Sequence, residues 1–168
     1  MGKRIIQQAR GKGSLTYRVR KRAYNKKIAY PTAENTGEAE IIAIVHSAAH
    51  SAPLMKVLIN GKTFYNPAFN GAFVGQKISI DGEPKEGNIV KLSQAPLGSQ
   101  IYNIELNPGD GGKMIRSAGS FASLTKKLDN RTVILTLPNR KTVTLNENCR
   151  VTLGRIAGDG RLLKPFVT

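Results

Sequence analysis

From residue 40 onward the chain is cut into short apolar runs, each closed by Gly, Asn, Asp or Pro. That punctuation is too frequent for helices, which need about ten residues or more to carry a buried stripe. Glu40 to Val45 and Leu54 to Ile59 read as strands. Asn60-Gly61 then separates Leu58-Ile59 from Thr63-Phe64-Tyr65, a two-residue hairpin signal because both turn positions need positive φ. Lys77 to Ile80 is a fourth run, Asp81-Gly82 a turn, and Asn88 to Leu92 a fifth. Five short strands in about 60 residues, with no helical period, predict a small barrel, here an oligonucleotide-binding (OB-fold) barrel over 34–96.

Pro96-Leu97-Gly98 marks a boundary. Beyond it, strands are predicted at Ile101 to Leu106, Met114 to Ser117, Phe121 to Lys127, Thr132 to Leu137, Lys141 to Leu145 and Val151 to Ile156. Val133, Leu135 and Leu137 alternate with Thr132, Ile134 and Thr136, and Val143 and Leu145 answer them across Pro138-Asn139-Arg140. An SH3-like barrel over 97–168 fits this pattern. The fold class is all-β. The chain has 168 residues, and at that size a fold buries roughly 70% of its unfolded surface without a covalent staple.

Charge separates a third segment. The chain carries a net charge of +15, and residues 1–33 hold ten of its 26 basic groups and no acidic one. These are Lys3, Arg4, Arg10, Lys12, Arg18, Arg20, Lys21, Arg22, Lys26 and Lys27. Residues 34–99 are almost balanced, at −1, and residues 100–168 carry +6. Self-repulsion and a thin apolar set keep such a segment from folding alone, so 1–33 is expected to be an extended basic arm that orders on a phosphate-rich surface. A solubilising tail or a targeting peptide are the alternatives; the arm is Lys-rich and nearly free of Ser, unlike a mitochondrial presequence.

Several chemistries find no foothold. A single cysteine, Cys149, excludes an internal disulfide framework, and it is expected to serve as a small buried hydrophobe. His46 and His50, the only histidines, lack a third ligand type nearby, which argues against a metal site. No apolar run approaches the roughly 20 residues of a membrane span. The start Met1-Gly2-Lys3-Arg4 lacks the apolar core of a signal peptide, and Ile6 argues against myristoylation at Gly2. Asn107-Pro108-Gly109-Asp110-Gly111-Gly112-Lys113 fails the Walker pattern at both ends, so nucleotide hydrolysis is unsupported. Such a loop can still bring backbone N–H groups to a phosphodiester, or be an ordinary long turn. Lys113 and Arg116 follow beside small residues and form a candidate RNA-facing edge.

Taken together, these segments resemble one family. Met1-Gly2-Lys3-Arg4-Ile5, Arg10-Gly11-Lys12-Gly13 and Ser51-Ala52-Pro53-Leu54 look like the archaeal and eukaryotic-type L-two proteins of the large ribosomal subunit. So do Pro108-Gly109-Asp110-Gly111-Gly112-Lys113, Arg116-Ser117-Ala118-Gly119, Cys149-Arg150-Val151-Thr152-Leu153-Gly154 and Lys164-Pro165-Phe166-Val167. The resemblance covers nearly the whole chain. It implies the two barrels already described, lying on large-subunit ribosomal RNA in the cytoplasm, without a cofactor and without enzymatic activity. It also implies neighbouring ribosomal proteins, the small subunit at an intersubunit contact, and roles in assembly, subunit association and support of the peptidyl-transfer region.

Carried over by position, Lys113, Arg116, Ser117 and Arg150 become RNA-contact candidates together with the ten cations of the arm. The first-barrel loop adds His50 and Ser51, and the last stretch adds Arg161 and Lys164. The family's usual Asp-Pro-x-Arg reads Ser47-Ala48-Ala49-His50 here, so a histidine stands where an RNA-facing arginine is expected. Members also continue past the Lys-Pro-Phe segment into a basic tail with a Gly- and His-rich motif near the catalytic centre, whereas this sequence ends at Thr168. These 168 residues are therefore expected to dock on RNA without supplying a group to that centre. A tandem-barrel factor that binds RNA reversibly and an RNA-modifying enzyme with a convergent polar pocket are the other classes.

Overall fold

A computed structural model describes residues 2–19 and 21–162, with backbone only at 21, 22, 161 and 162. The side chains of Arg20, Lys21, Arg22, Arg161 and Lys164, and the C-terminal Phe166, lie outside the described residues.

The first half supplies β1 (Gly37–Val45), β2 (Leu54–Ile59), β3 (Lys62–Pro67), β4 (Lys77–Ile80) and β5 (Ile89–Lys91). The second supplies β6 (Gln100–Tyr102), β7 (Ala122–Leu128), β8 (Thr132–Thr136), β9 (Thr142–Asn146) and β10 (Arg150–Leu153). The chain is all-β, as its punctuation predicts. At the β2–β3 turn φ is +46° at Asn60 and +73° at Gly61, and Ile59 faces Lys62. The second hairpin closes through Leu137 N–H to the Lys141 carbonyl, 2.9 Å, with Arg140 at φ +64°.

The ten strands hydrogen-bond in the order β3-β2-β1-β4-β5-β10-β6-β7-β8-β9. Pairing is antiparallel throughout except for β4 and β5, which meet in parallel at Ile80 and Ile89. The step from β5 to β10 joins the halves, with Val90 facing Val151. Each half has its own core. One gathers Ile41, Met55, Val57, Ile59, Ile78, Ile80 and Ile89; the other gathers Val90, Leu92, Ile101, Leu124, Val133, Leu135 and Val151. The adjacent residues Ile89 and Val90 thus point into different cores, which follows from side-chain alternation along a strand. Each fully buried aliphatic side chain contributes about 1.5–3 kcal/mol relative to exposure.

Several details differ from the sequence expectation: the strand expected over Ile101 to Leu106 ends at Tyr102, where Asn103 turns to φ +47°, and the one expected over Val151 to Ile156 runs Arg150–Leu153. Tyr102 and Ile156, from the second half, pack in the first core, so the halves interlock. Met114 to Ser117 does not form a strand: Met114 makes one isolated bridge to Ile104, and Ile115 then sits at φ +55°. A β-branched residue rarely adopts that conformation; here Ile115 accepts from Asn103 N–H at 2.8 Å and packs against both cores. The basic segment is not wholly extended either. It forms α1 (Ile6–Gly11), which buries nothing, and a 3-10 turn at Lys21–Tyr24. Its end enters the fold, where Ile28 bridges Tyr65 and both Ile28 and Tyr30 are buried. The paired apolar spacing of Ile28 and Tyr30 is what makes burial possible in an otherwise charged stretch.

Candidate nucleic-acid interface

The glycine-rich stretch after β6 is organised from within by two carboxylates. Glu105 is fully buried. It accepts from Gly109 N–H at 3.2 Å, Gly111 N–H at 3.1 Å and Arg150 N–H at 2.9 Å. The Arg150 guanidinium adds Nε at 3.1 Å and Nη2 at 2.8 Å. Asp110 accepts from Leu106 N–H, Asn107 N–H and Gly112 N–H at 3.1–3.3 Å. The amides that were candidates for cradling a phosphodiester are therefore turned onto the loop's own carboxylates. Burial works against ionisation of Asp110, but these three amides and Lys113 outweigh it and lower its pKa.

Arg150 is accordingly not presented to a ligand. It is 5% exposed, donates through Nη1 to the Pro31 carbonyl at 2.8 Å, and lies over the Tyr30 ring at 5.4 Å. Unlike the exposed Lys113, this RNA-contact candidate has its guanidinium engaged inside the fold. A buried guanidinium needs a counter-charge and acceptors, and Glu105, Pro31 and Tyr30 provide both.

Arg116 is half internal. Its Nε donates to Asn103 Oδ1 at 2.9 Å, and its Nη2 donates to the carbonyls of Ile28, at 3.3 Å, and Gly112. Asn103 continues the chain inward by donating to Asn66 Oδ1 at 2.7 Å, and Asn66 donates to Thr152 Oγ1 at 3.0 Å. The Tyr30 hydroxyl meets the same Thr152 oxygen at 2.7 Å. This buried network links the root of the arm, β3, β10 and the glycine-rich loop. Burial pushes the Tyr30 phenol far above its ordinary value, so it remains a neutral member of the network. Gly112 is required here. A Cβ would stand 2.5 Å from the Asn103 carbonyl oxygen, and φ is +79°.

On the outer side of this network lies an open groove of about 530 Å³. Tyr24, Lys26, Lys27 and Ile28 of the arm root line one wall, with His50 beside them and Asp110, Gly112, Lys113 and Arg116 opposite. Four cations against one carboxylate make it strongly positive. Lys26 Nζ is tied to the His46 carbonyl at 2.6 Å, and Lys113 Nζ stands 3.5 Å from Asp110. Lys27 and Lys113 are exposed. His50 shares a 2.8 Å hydrogen bond with Ser47 Oγ and meets Tyr24 edge to face, ring centres 5.8 Å apart. Burial and the nearby Arg116 charge lower its pKa, so it is neutral at pH 7.

The remaining candidates distribute around this groove. Ser51 Oγ accepts from Ala118 N–H at 3.0 Å, and Ser51 and Ser117 are both exposed. Lys3, Arg4, Arg10, Lys12 and Arg18 are exposed on the arm, with Arg10 5.7 Å from the Tyr17 ring. Cys149 is fully buried, as expected of a small hydrophobe. Sequence reasoning missed Tyr24 as a groove residue and Glu105 as the hub of the loop. A lone carboxylate four and six residues ahead of Gly109 and Gly111 was the available signal.

Comparison with known proteins agrees with a basic β-protein of this design. A family model described as Ribosomal Proteins L2, C-terminal domain, matches residues 85–168. The chain is 41% identical over 171 residues to large ribosomal subunit protein uL2 of Hyperthermus butylicus, spanning 99% of this chain and 71% of that protein. Its counterpart in Sulfolobus acidocaldarius is 41% identical over 170 residues, with 99% and 71% covered. For Methanothermobacter thermautotrophicus the identity is 38% over 175 residues, with 99% and 72% covered. Similarity that runs through arm, groove and both cores at this level leaves one assignment: the chain belongs to the uL2 family of large ribosomal subunit proteins.

Proposed function

We propose that this structural, non-enzymatic component of the large ribosomal subunit binds large-subunit ribosomal RNA through its basic arm and the groove at the arm's root. One observation carries the reading: Lys26, Lys27, Lys113 and Arg116 converge on a single groove, at the foot of a segment with ten cations and no acid. Phosphate contacts of this kind set position and orientation without reading sequence. The arm, 1–33, would follow the RNA backbone, while the OB-fold region (34–96) and the SH3-like region (97–168) fix where it starts. Neighbouring ribosomal proteins and the small subunit are the further partners in this reading. Its biological roles are subunit assembly, subunit association and support of the peptidyl-transfer region from a distance. The test is sedimentation of tagged protein from cells through a sucrose gradient. The protein should travel with cytoplasmic large subunits and remain there through a high-salt wash. Release into the free pool on washing would instead identify a reversibly bound factor.

A further inference from the structure

We infer that the groove between the arm root and the glycine-rich loop is a receptor for one unpaired nucleotide of RNA, with its base against Tyr24 and its phosphates between Lys27 and Lys113. The inference rests on the RNA-binding reading above and sharpens it from phosphate contact to recognition of an extruded base. Three observations carry it.

The first is the ring. The chain has ten Phe and Tyr and no Trp, and among the described residues Tyr17, Tyr24 and Phe73 are the exposed rings. Tyr24 is 58% exposed, yet it stands among four cations instead of in a core. An exposed ring inside a positive groove is the combination that holds single-stranded nucleic acid, because every base offers a π-face and every nucleotide a phosphate.

The second is that the ring is braced. His50 meets Tyr24 at an interplanar angle of 85°, and Ser47 holds His50 from behind at 2.8 Å. With His50 neutral, the aromatic wall adds no charge of its own beside Arg116. The opposing walls are tied across the groove by Arg116 to the Ile28 carbonyl, and Lys26 is fixed to the His46 carbonyl outside the lining. A site preformed in this way loses little ordering entropy on binding.

The third is size. At about 530 Å³ the groove falls in the range of small-ligand clefts, the scale of one nucleotide. Asp110 lines the same wall as Lys113, with both oxygens engaged by three backbone N–H groups and its side chain only 11% exposed.

The test compares two labelled RNA hairpins of equal length, one fully paired and one with a single bulged adenosine, binding the full chain in an anisotropy titration. The bulged hairpin should bind more tightly by about 5- to 150-fold, the range of one base–aromatic stack. Tyr24→Ala should remove that preference and Tyr24→Phe should keep it. Lys27→Ala should weaken both hairpins alike and make binding less salt-dependent. Equal affinity of the wild-type chain for both hairpins overturns the nucleotide receptor while leaving RNA binding in place. So does a bulge preference that survives Tyr24→Ala. Failure to bind either hairpin overturns both readings.

Discussion

Replacing Glu105 with Gln tests the loop hub directly. The substitution preserves shape but removes the negative charge that faces five N–H donors, three of them on Arg150. One carboxylate oxygen becomes an amide nitrogen, so at least one of those donors meets another donor. Arg150, 5% exposed, is left without its counter-ion. Removing one partner of a buried pair costs about 3–5 kcal/mol. For a chain of this length each kcal/mol shifts the melting temperature by about 2–4 °C, so a fall of about 6–20 °C is expected. Thermal and urea unfolding followed by circular dichroism would measure it. The exposed pair of Lys77 and Glu38, at 3.4 Å, is the control, and Glu38→Gln should leave the melting temperature unchanged within error. A Glu105→Gln, Arg150→Met double variant should recover part of the loss, since no charge remains buried and the amide oxygen still accepts from backbone N–H groups. A Glu105→Gln cost below about 1 kcal/mol would refute the argument that this carboxylate organises the loop.

Other outcomes follow from the same geometry. Gly112→Ala should destabilise by at least about 1–2 kcal/mol from its left-handed backbone alone, with the Asn103 clash added, as read by urea midpoint. Burial pushes the Cys149 thiol up to about 11, with Glu105 adding to the effect. At pH 8 only about one thiol in a thousand is then ionised, so iodoacetamide should label native protein slowly and unfolded protein fast. His50 has its pKa lowered by burial and by Arg116, so the unfolded chain takes up its proton first. Stability should therefore be fully present above about pH 6.5 and fall as the solution is acidified below it, and His50→Gln should flatten that part of the profile.

The parts of this fold that could be read from the sequence are local. Asn60-Gly61 specifies its turn through two positive φ values, and the alternation of Val133 and Leu135 specifies which face of β8 is buried. Lys26, Lys27, Lys113 and Arg116 were legible as cations, and all four line the groove. Arg150 shows the limit. Its partner Glu105 is 45 residues away, and nothing in the spacing distinguishes a guanidinium that turns inward from one that faces RNA. Tyr30 and Thr152 are 122 residues apart, so their contact exists only once the sheet has closed. The glycine-rich loop left two readings open for a related reason. Its amides have the chemistry of an anion cradle, and the anions they hold are Glu105 and Asp110.

The salt dependence of binding to large-subunit ribosomal RNA tests the central claim most directly, with the full chain compared with Lys26→Ala, Lys27→Ala, Lys113→Ala. Wild-type affinity should fall by orders of magnitude between about 50 and 200 mM salt, with a slope reporting several neutralised phosphates. The triple variant should fold normally, bind more weakly, and show a slope shallower by about two to three. Superimposable curves for the two proteins would contradict the account, because the groove cations would then make no contact with RNA.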